Sequence, residues 1–329
     1  MIPRFEEEIS FFKKAIVDFG EGHRSNLAVI SDPFYGELEL MGRVEGMTGE
    51  DGIRINARSL VQNFDSLKDA PRRIVIVEEA HRLYRRKIGG FDMMNRFLKM
   101  LASSDRLFIT TWNSYSWNYL DEVLGLSRYF PLQVRLSKMG ADQIREMLLS
   151  DYEEGELTFV EEEPAKAEEL KIFNRASYRK TLMGKSFEIP YPVIDTRSIR
   201  SRLSKTDKKS PEDVFFDRLA RISDGNPGVA EHLWKEALDY PEVRNTLKDP
   251  LSIDLDRDES FALSIVLSKG SVEMEDLSLV LEPLGHSAER IAAVLEEMGL
   301  VSLEGDVVTI RAEALKAVVD HLRRLRLVW

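Results

Sequence analysis

The stretch RRIVIVEEAH, residues 72–81, constrains the fold more than any other part of the sequence. It contains four consecutive β-branched residues, Ile74 to Val77, with no alternation between apolar and polar positions. Such a run is typical of a strand that is buried on both faces, as in a parallel sheet. Strands that alternate with helices predict an α/β fold. Further strands are predicted at 26–30, 52–57, 107–113 and 129–136, and helices at 5–19, 36–43 and 91–101.

The composition limits the class of protein. Of the 329 residues, 43% are hydrophobic and 31% are charged, which allows buried cores in two or three domains. The net charge of −11 argues against a uniformly basic nucleic-acid-binding protein. The absence of cysteine excludes disulfides, thiolate metal ligands and cysteine nucleophiles. Many Glu, Lys and Arg residues with few Gln are typical of thermophiles.

The location of the protein can also be predicted from the sequence. No apolar run approaches the roughly 18–20 residues of a membrane span. The start, MIPRFEEEI, has the pattern of neither a signal nor a transit peptide. We therefore expect a cytoplasmic protein without a transmembrane segment.

Changes in composition along the chain predict four regions. The first carries the alternating strands and helices. The second is charged, with six glutamates between residues 153 and 164 followed by a basic segment. The third returns to helical periodicity, and the fourth contains three helices and a β-hairpin, the elements of a winged helix. The predicted bounds are 1–150 for the core, 151–209 for the insertion, 210–253 for a helical lid and 254–329 for the winged-helix domain.

Five segments, taken in order, resemble an archaeal ATPase of the AAA+/STAND branch of P-loop NTPases. The resemblance implies a P-loop NTPase-like parallel sheet with a helical lid, and a phosphate-binding loop after the strand at 26–30. It also implies that Gly225, Asn226 and Pro227 form the lid turn of the cofactor site. Alternatively, Gly and Asn simply permit a left-handed turn and Pro starts the next helix, which needs no nucleotide. The segments are IPRFEEEISFFKKAI (2–16), IVIVEEAHRL (74–83), LFITTWN (107–113), SDGNPGVAEHLW (223–234) and the winged helix.

The phosphate loop departs from the pattern of that family. A working loop reads GxxxxGK[ST], in which the lysine reaches the phosphates and the hydroxyl holds Mg²⁺. The matching positions here are Ser31, Gly36, Glu37 and Leu38, with bulky Phe34 and Tyr35 between them. At about 4 Å and an effective dielectric of 20, two unit charges interact by roughly 4 kcal/mol, and Glu37 reverses the sign of this interaction. We therefore expect a pseudo-ATPase with no cofactor, unless the degenerate site still binds ATP and Mg²⁺.

The other signature positions carry polar residues with two interpretations. Glu78 stands at the metal-ligand position, Glu79 at the water-orienting position and Asn113 at the sensor position. The three could form a residual Mg²⁺ site, although we expect no metal and treat them as vestigial rather than catalytic. Alternatively, the two acids pair with Arg82, Arg85 or Arg86, and Asn113 is a polar strand terminus. All five histidines are predicted to be surface or capping residues.

The basic segment 171–209 is the candidate for a charged surface. It holds eleven Lys and Arg residues against three acids, which gives 11 − 3 = +8. It could contact nucleic acid, an acidic partner or the acidic stretch 153–164 of its own chain. The candidate patch is Arg175, Arg179, Lys180, Lys185, Arg197, Arg200, Arg202, Lys205, Lys208 and Lys209.

The winged-helix region argues for protein binding instead. Residues 254–329 hold fifteen acids and eight bases, or −7, whereas DNA affinity depends on Lys and Arg contacts to phosphates. This domain is therefore expected to bind protein or to pack on the core. The favoured function is a protein-binding scaffold or regulatory subunit whose partner could be an intact ATPase homologue. The alternatives are a nucleic-acid-associated factor that uses the basic insertion, and an ATPase or nucleotide sensor with a non-standard site.

Overall fold

A five-stranded parallel sheet forms the core of the molecule. The computed structural model describes residues 5–65, 67, 72–160, 173–182, 185–194, 210–248 and 251–329, and of 173–182 and 185–194 it describes the backbone alone. The strand order is β2-β3-β4-β1-β5, and every neighbouring pair is parallel. This confirms the predicted α/β fold with a P-loop NTPase-like core. The strands are β1 Leu27–Ser31, β2 Gly52–Asn56, β3 Ile74–Glu78, β4 Leu107–Asn113 and β5 Leu132–Arg135.

Helices cover both faces of this sheet. Side chains alternate along β1, so that Leu27 and Val29 pack against α1 and α2, while Ala28 and Ile30 pack against α3, α4 and α5. Helix α2 runs to Thr48 and is therefore longer than the predicted 36–43. The helices of this layer are α1 Glu6–Gly20, α2 Glu37–Thr48, α3 Ala57–Gln62, α4 Asp92–Ser103 and α5 Ser114–Leu124.

A second layer combines three helices with a small sheet. Strand β6, from the predicted insertion, pairs in parallel with β10, from the predicted lid, and β10 pairs antiparallel with β9. Helix α6, from the predicted core, shares its apolar cluster with α7 and α8. The layer therefore also includes a helix from the predicted core, and the predicted domain bounds stay predictions. Its elements are α6 Ala141–Leu149, β6 Thr158–Val160, α7 Pro211–Ser223, α8 Pro227–Ala237, β9 Leu238–Asp239 and β10 Glu242–Arg244.

An antiparallel hairpin lies within the charged insertion. It consists of β7 Phe173–Leu182 and β8 Lys185–Ile194, with Arg179 in register with Glu188. Four members of the basic patch, Arg175, Arg179, Lys180 and Lys185, are on this hairpin. The others lie outside the described residues: Arg197, Arg200, Arg202, Lys205, Lys208 and Lys209.

The C-terminal module contains the three helices and the hairpin that the sequence predicts, and a fourth helix follows the hairpin. A third strand, β11, which the sequence analysis missed, pairs antiparallel with β13. The apolar cluster is continuous from α8 into this module, through residues such as Trp234, Val266 and Leu322. No helix within the described ranges is long and apolar enough to span a bilayer. The elements are α9 Arg257–Lys269, β11 Ser271–Glu273, α10 Met274–Leu281, α11 Ala288–Glu297, β12 Val301–Glu304, β13 Val307–Ile310 and α12 Leu315–Arg324.

Candidate functional site

A cavity of about 200 Å³ lies at the carboxyl end of the parallel sheet. Ligands of open α/β sheets bind at this edge, so it is the place to look for a site. The walls come from the loop after β1, the segment after β3, the end of β4 and the C-terminal module. The lining residues are Ser31, Asp32, Pro33, Phe34, Glu37, Glu79, His81, Arg82, Asn113, Lys269, Gly270, Ser271 and Thr309.

The loop after β1 has the position of a phosphate loop. Ser31 ends β1 and Glu37 begins α2, so the five residues between them fill the expected strand-to-helix connection. Gly36 has a positive φ of 86°, and so has Phe34 at 67°, where a side chain is disfavoured. Pro33 has no backbone N–H with which to bind a phosphate.

The lid turn packs directly against this loop. The Asn226 side-chain amide donates to the Pro33 carbonyl at 2.7 Å. The approach is so close that a Cβ added to Gly228 would lie 1.8 Å from the Phe34 carbonyl oxygen. Asn226 also caps α8, because its side-chain oxygen accepts from the N–H groups of Gly228 and Val229, both at 3.1 Å.

The backbone conformations of Gly225 and Pro227 are sufficient to form the turn. Gly225 adopts a φ of +74°, and Pro227 is the first residue of α8. The turn that sequence analysis assigned to the nucleotide thus contacts the phosphate loop itself.

Glu37 and Leu38 differ in their surroundings. The Glu37 carboxyl lines the cavity, and burial raises its pKa, assisted by the nearby charges of Glu79 and Glu78, although a hydrogen bond with Ser31 opposes the shift. Leu38, at the position of the magnesium-binding hydroxyl, is 62% exposed. The loop therefore has an acid, Glu37, at the lysine position and an apolar residue, Leu38, at the Ser/Thr position.

The two acids after β3 are both paired with arginines. Glu78 accepts from the Arg54 guanidinium at 2.5 Å, and Glu79 contacts Arg82 at 2.8 Å. Asn56 also donates to Glu79, at 3.1 Å. Burial alone would raise the pKa of Glu79, but the hydrogen bond and charge of Arg82 outweigh it and leave that pKa lowered. The sequence anticipated Arg82 but not Arg54, whose proximity depends on the pairing of β2 with β3.

The side-chain amide of Asn113 joins two helices. Its oxygen accepts from the Tyr115 N–H at 2.9 Å and so caps α5. Its nitrogen donates to the Leu267 carbonyl in the last turn of α9 at 2.8 Å. The oxygen of the amide therefore caps a core helix, and its nitrogen contributes to the docking of the C-terminal module.

Further polar contacts fix the carboxyl end of α9 to the core. Ser116 donates to the Ser268 carbonyl at 2.5 Å, and Arg82 donates to the Ser271 carbonyl at 3.0 Å. The Lys269 ammonium donates to the carbonyls of Tyr84, at 2.6 Å, and His81. Because this lysine is buried, its pKa is well below the ordinary value. Two carbonyls at the end of α9, those of Leu267 and Ser268, thus accept hydrogen bonds from side chains of the core.

His81 is buried at the cavity, with 5% exposure, so the prediction of a surface or capping histidine is wrong for this residue. Its Nδ1 accepts from the Asn113 N–H at 3.1 Å. Burial, with the charges of Lys269 and Arg82, lowers its pKa to about 3. The neutral ring consequently carries its proton on Nε2. Within the described part of the chain, neither this N–H nor the Arg82 Nε–H has a hydrogen-bond partner.

Sequence reasoning missed His81, Arg54 and Lys269 as members of the site. His81 directly follows the two acids after β3, but its contact with Lys269 comes from the C-terminal module, which is distant in sequence. Among the described residues, no group of three His, Asp or Glu side chains is placed to hold a metal ion. The expectations for ATP and Mg²⁺ stay predictions.

Comparison with protein-family models and with curated proteins gives no match. Solved structures of AAA+ P-loop ATPases do resemble the chain. The Holliday junction branch migration motor RuvB of Thermotoga maritima has 12% identity and a TM-score of 0.41 over 95% of this chain and 94% of its own. The Orc1 protein of Aeropyrum pernix, solved in complex with DNA, has 13% identity and a TM-score of 0.40 over 99% and 95%. Cdc6p of Pyrobaculum aerophilum has 16% identity and a TM-score of 0.36 over 99% and 96%. Overlaps this loose do not align individual site residues.

Proposed function

We propose that the chain is an AAA+/STAND-type pseudo-ATPase that works as a protein-binding scaffold or regulatory subunit. One observation carries the proposal: the polar side chains at the signature positions already serve as structural ties. Glu78 and Glu79 hold arginines, and Asn113 holds the C-terminal module. A nucleotide and its Mg²⁺ would have to compete with these contacts.

The shape of the cavity supports the same proposal. Its volume of about 200 Å³ is below the roughly 300–1,000 Å³ of typical small-molecule pockets. The C-terminal module forms one wall, through Lys269, Gly270, Ser271 and Thr309. A triphosphate would therefore require the module to move, and the contacts of Lys269 and Arg82 oppose such a movement.

A loop after β3 offers a surface for a protein partner. Ile88 is fully exposed at its apex. Hydrogen bonds from the Arg85 N–H to the Gly90 carbonyl, at 2.8 Å, and from the Gly90 N–H to the Lys87 carbonyl, at 3.0 Å, fix the loop. Arg86 lies over the Tyr119 ring at 4.6 Å and anchors the base. Ile88 is a preorganised apolar side chain, and Arg86 and Lys87 are basic residues beside it. This arrangement would fit a partner protein with an apolar pocket surrounded by acidic residues.

Nucleotide titration tests the loss of ATP chemistry. Isothermal calorimetry with Mg-ATP and Mg-ADP is expected to give no saturable heat up to about 1 mM. The Glu37→Lys variant is the matched control, because it replaces the repulsive acid with the cation that the family uses. Saturable binding by the unmodified protein would contradict the proposal and favour a nucleotide sensor with a non-standard site.

Isolation from native cells tests the scaffold role. A tagged chain is expected to retain a protein partner, and Ile88→Asp is expected to lose it. Val17→Asp is the control, because Val17 is an exposed apolar residue on α1, away from the loop. Equal recovery of the partner with both variants would remove the Ile88 loop from the proposal, and recovery of the chain alone would remove the scaffold role.

The basic insertion supports a second candidate function, association with nucleic acid. The β7–β8 hairpin places Arg175, Arg179 and Lys180 on one strand. Contacts to phosphates would make affinity fall steeply with salt. Titration of single-stranded and duplex DNA over a salt series decides this candidate, and no binding at low salt excludes it.

A further inference from the structure

A groove with acidic sides opens beside the hairpin of the C-terminal module, and we call it the wing groove. It has a volume of about 500 Å³. Its residues come from the end of β11, the start of α10 and the turn that leads into β13. The Met274 N–H donates to the Asp306 carbonyl at 2.6 Å, which fixes this turn to the start of α10. The lining residues are Glu273, Met274, Glu275, Asp306 and Val307.

The wing groove combines apolar and acidic surface. Met274 and Val307 are half-buried, whereas the side chains of the three acids are exposed. Glu273 lies 3.9 Å from the Arg58 guanidinium. Within the described ranges of the chain, neither Glu275 nor Asp306 forms an ion pair. A segment that fits this groove should therefore present an apolar side chain next to a positive charge.

The Ile88 loop, residues 85–90, has this chemistry. Ile88 is fully exposed, and Lys87 beside it forms no ion pair with any residue that the structure describes. Hydrogen bonds between backbone groups of residues 85, 87 and 90 hold the loop in place. Little conformational freedom is therefore lost when the isoleucine is buried against another protein.

The loop and the groove are neighbours on the same molecule. Arg85, at the base of the loop, forms an ion pair with Asp276 at 2.7 Å, and Asp276 directly follows Glu275 of the groove. The loop does not fill the groove of its own molecule, because Ile88 is fully exposed. Two complementary patches that lie side by side are what a two-fold interface needs, since each patch then contacts the other patch of the second copy.

We propose that two copies of the chain associate about a two-fold axis, with each Ile88 loop seated in the wing groove of the other copy. Ile88 packs against Met274 and Val307 of the second copy, and Lys87 lies beside its Glu275. The regulatory consequence rests on the proposed function: the dimer occupies the loop that the scaffold offers to a protein partner. The partner must then displace the second copy, so self-association limits access to the scaffold.

Sedimentation velocity of the purified full chain tests the dimer. Between about 1 and 200 μM, the chain is expected to convert reversibly from monomer to dimer, because small interfaces of this kind give weak association. Raising the salt concentration is expected to shift the equilibrium towards monomer, since salt screens the attraction between Lys87 and the acids of the groove.

Two variants change opposite sides of the same contact. Ile88→Asp alters the loop and Glu275→Lys alters the groove, and each alone is expected to weaken the dimer at least about tenfold. A mixture of the two variants is expected to form a heterodimer more tightly than either variant pairs with itself. The reason is that one of the two contacts in the heterodimer joins an intact loop to an intact groove.

Glu297→Lys is the matched control, because it makes the same charge change at an exposed residue of α11 that does not line the groove. It is expected to dimerise like the wild type. Circular dichroism of all the variants verifies that they are folded before their association is compared.

Three results would overturn the inference: a monomer at every concentration, wild-type dimerisation of Glu275→Lys, or no heterodimer in the mixture. Recovery of a protein partner from native cells is a separate measurement. A monomeric chain that still recovers a partner removes the dimer alone, and a dimer that recovers no other protein removes the scaffold role alone. The two proposals can therefore fail independently.

Discussion

Asn113 illustrates at the scale of one residue how a polar side chain at the end of a strand can join two helices. It stands at the end of β4, where the sequence predicts a sensor or a polar strand terminus. In the structure its amide caps α5 and also reaches the last turn of α9. The amide oxygen and nitrogen of Asn113 are both used in hydrogen bonds that join helix α5 to helix α9.

Substitution of Asn113 separates these two contacts. Asn113→Ala is expected to lower the unfolding free energy by about 1–3 kcal/mol, because a helix cap is lost and the Leu267 carbonyl, which also accepts from the Gly270 N–H, loses its second donor. Asn113→Asp keeps the cap but not the donor, and should fall between the wild type and Asn113→Ala. Urea denaturation midpoints measure the series, and equal stability of all three proteins would refute the docking role.

Glu37 gives a prediction about pH. Burial raises its pKa, so the folded protein holds this proton more tightly than the unfolded chain does. The stability that this group contributes is complete below the ordinary glutamate pKa and is lost as pH rises through the raised one. Glu37→Gln cannot ionise, and its unfolding free energy should therefore fall less than that of the wild type as the pH rises.

Urea midpoints between about pH 4 and pH 8 measure this difference. Glu50→Gln, at an exposed glutamate, is the control and should follow the wild-type curve. A Glu37→Gln curve parallel to that of the wild type would show that the carboxyl is not desolvated.

At the scale of elements, the contact between the lid turn and the phosphate loop is backbone against backbone. Gly228 lies so close to the Phe34 carbonyl that no side chain fits between them. The lid turn thereby occupies one side of the loop after β1, at the carbonyls of Pro33 and Phe34.

Gly228→Ala should show the tightness of this contact. The added Cβ forces the lid turn and the loop apart, and we expect a loss of about 2 kcal/mol. Gly46→Ala is the matched control, because that glycine is on helix α2 with nothing within 4 Å of an added Cβ. The control should gain about 0.5–1 kcal/mol. Similar urea midpoints for the two variants would contradict the close contact.

The sequence predicted individual elements better than the contacts between them. The run Ile74–Val77 and its neighbours were sufficient for a parallel sheet, because burial on both faces leaves a local pattern. The capping box of α7, Ser210 with Asp213, is also local. Arg54 beside Glu78, and Lys269 beside His81, come from strand order and module docking, which no local pattern encodes.

At the scale of the whole molecule, several polar contacts join the C-terminal module to the sheet edge. Lys269 is central to it, with its ammonium group 3.7 Å from the centre of the Tyr84 ring and bonded to two core carbonyls. Arg85 adds an ion pair with Asp276 of α10 at 2.7 Å. The module is therefore attached at several points around the cavity.

Lys269→Met should loosen this attachment without unfolding the core. The methionine fills a similar volume but leaves the carbonyls of His81 and Tyr84 without their donor. Hydrogen exchange is expected to accelerate together in residues 80–86 and 265–271, while α1 keeps its wild-type protection. Lys235→Met, on an exposed lysine of α8, is the control. Unchanged exchange at both segments would mean that Lys269 does not couple them.

The direction of α9 has an electrostatic consequence. Phosphates are usually received by the amino end of a helix, where N–H groups and a partial positive charge meet them. Here α9 ends over the crevice, and the aligned peptide dipoles bring about half a negative charge to its last turn. The pole that faces the sheet edge has the same sign as a triphosphate, and it offsets part of the attraction that the neighbouring Arg82 would offer to a polyanion.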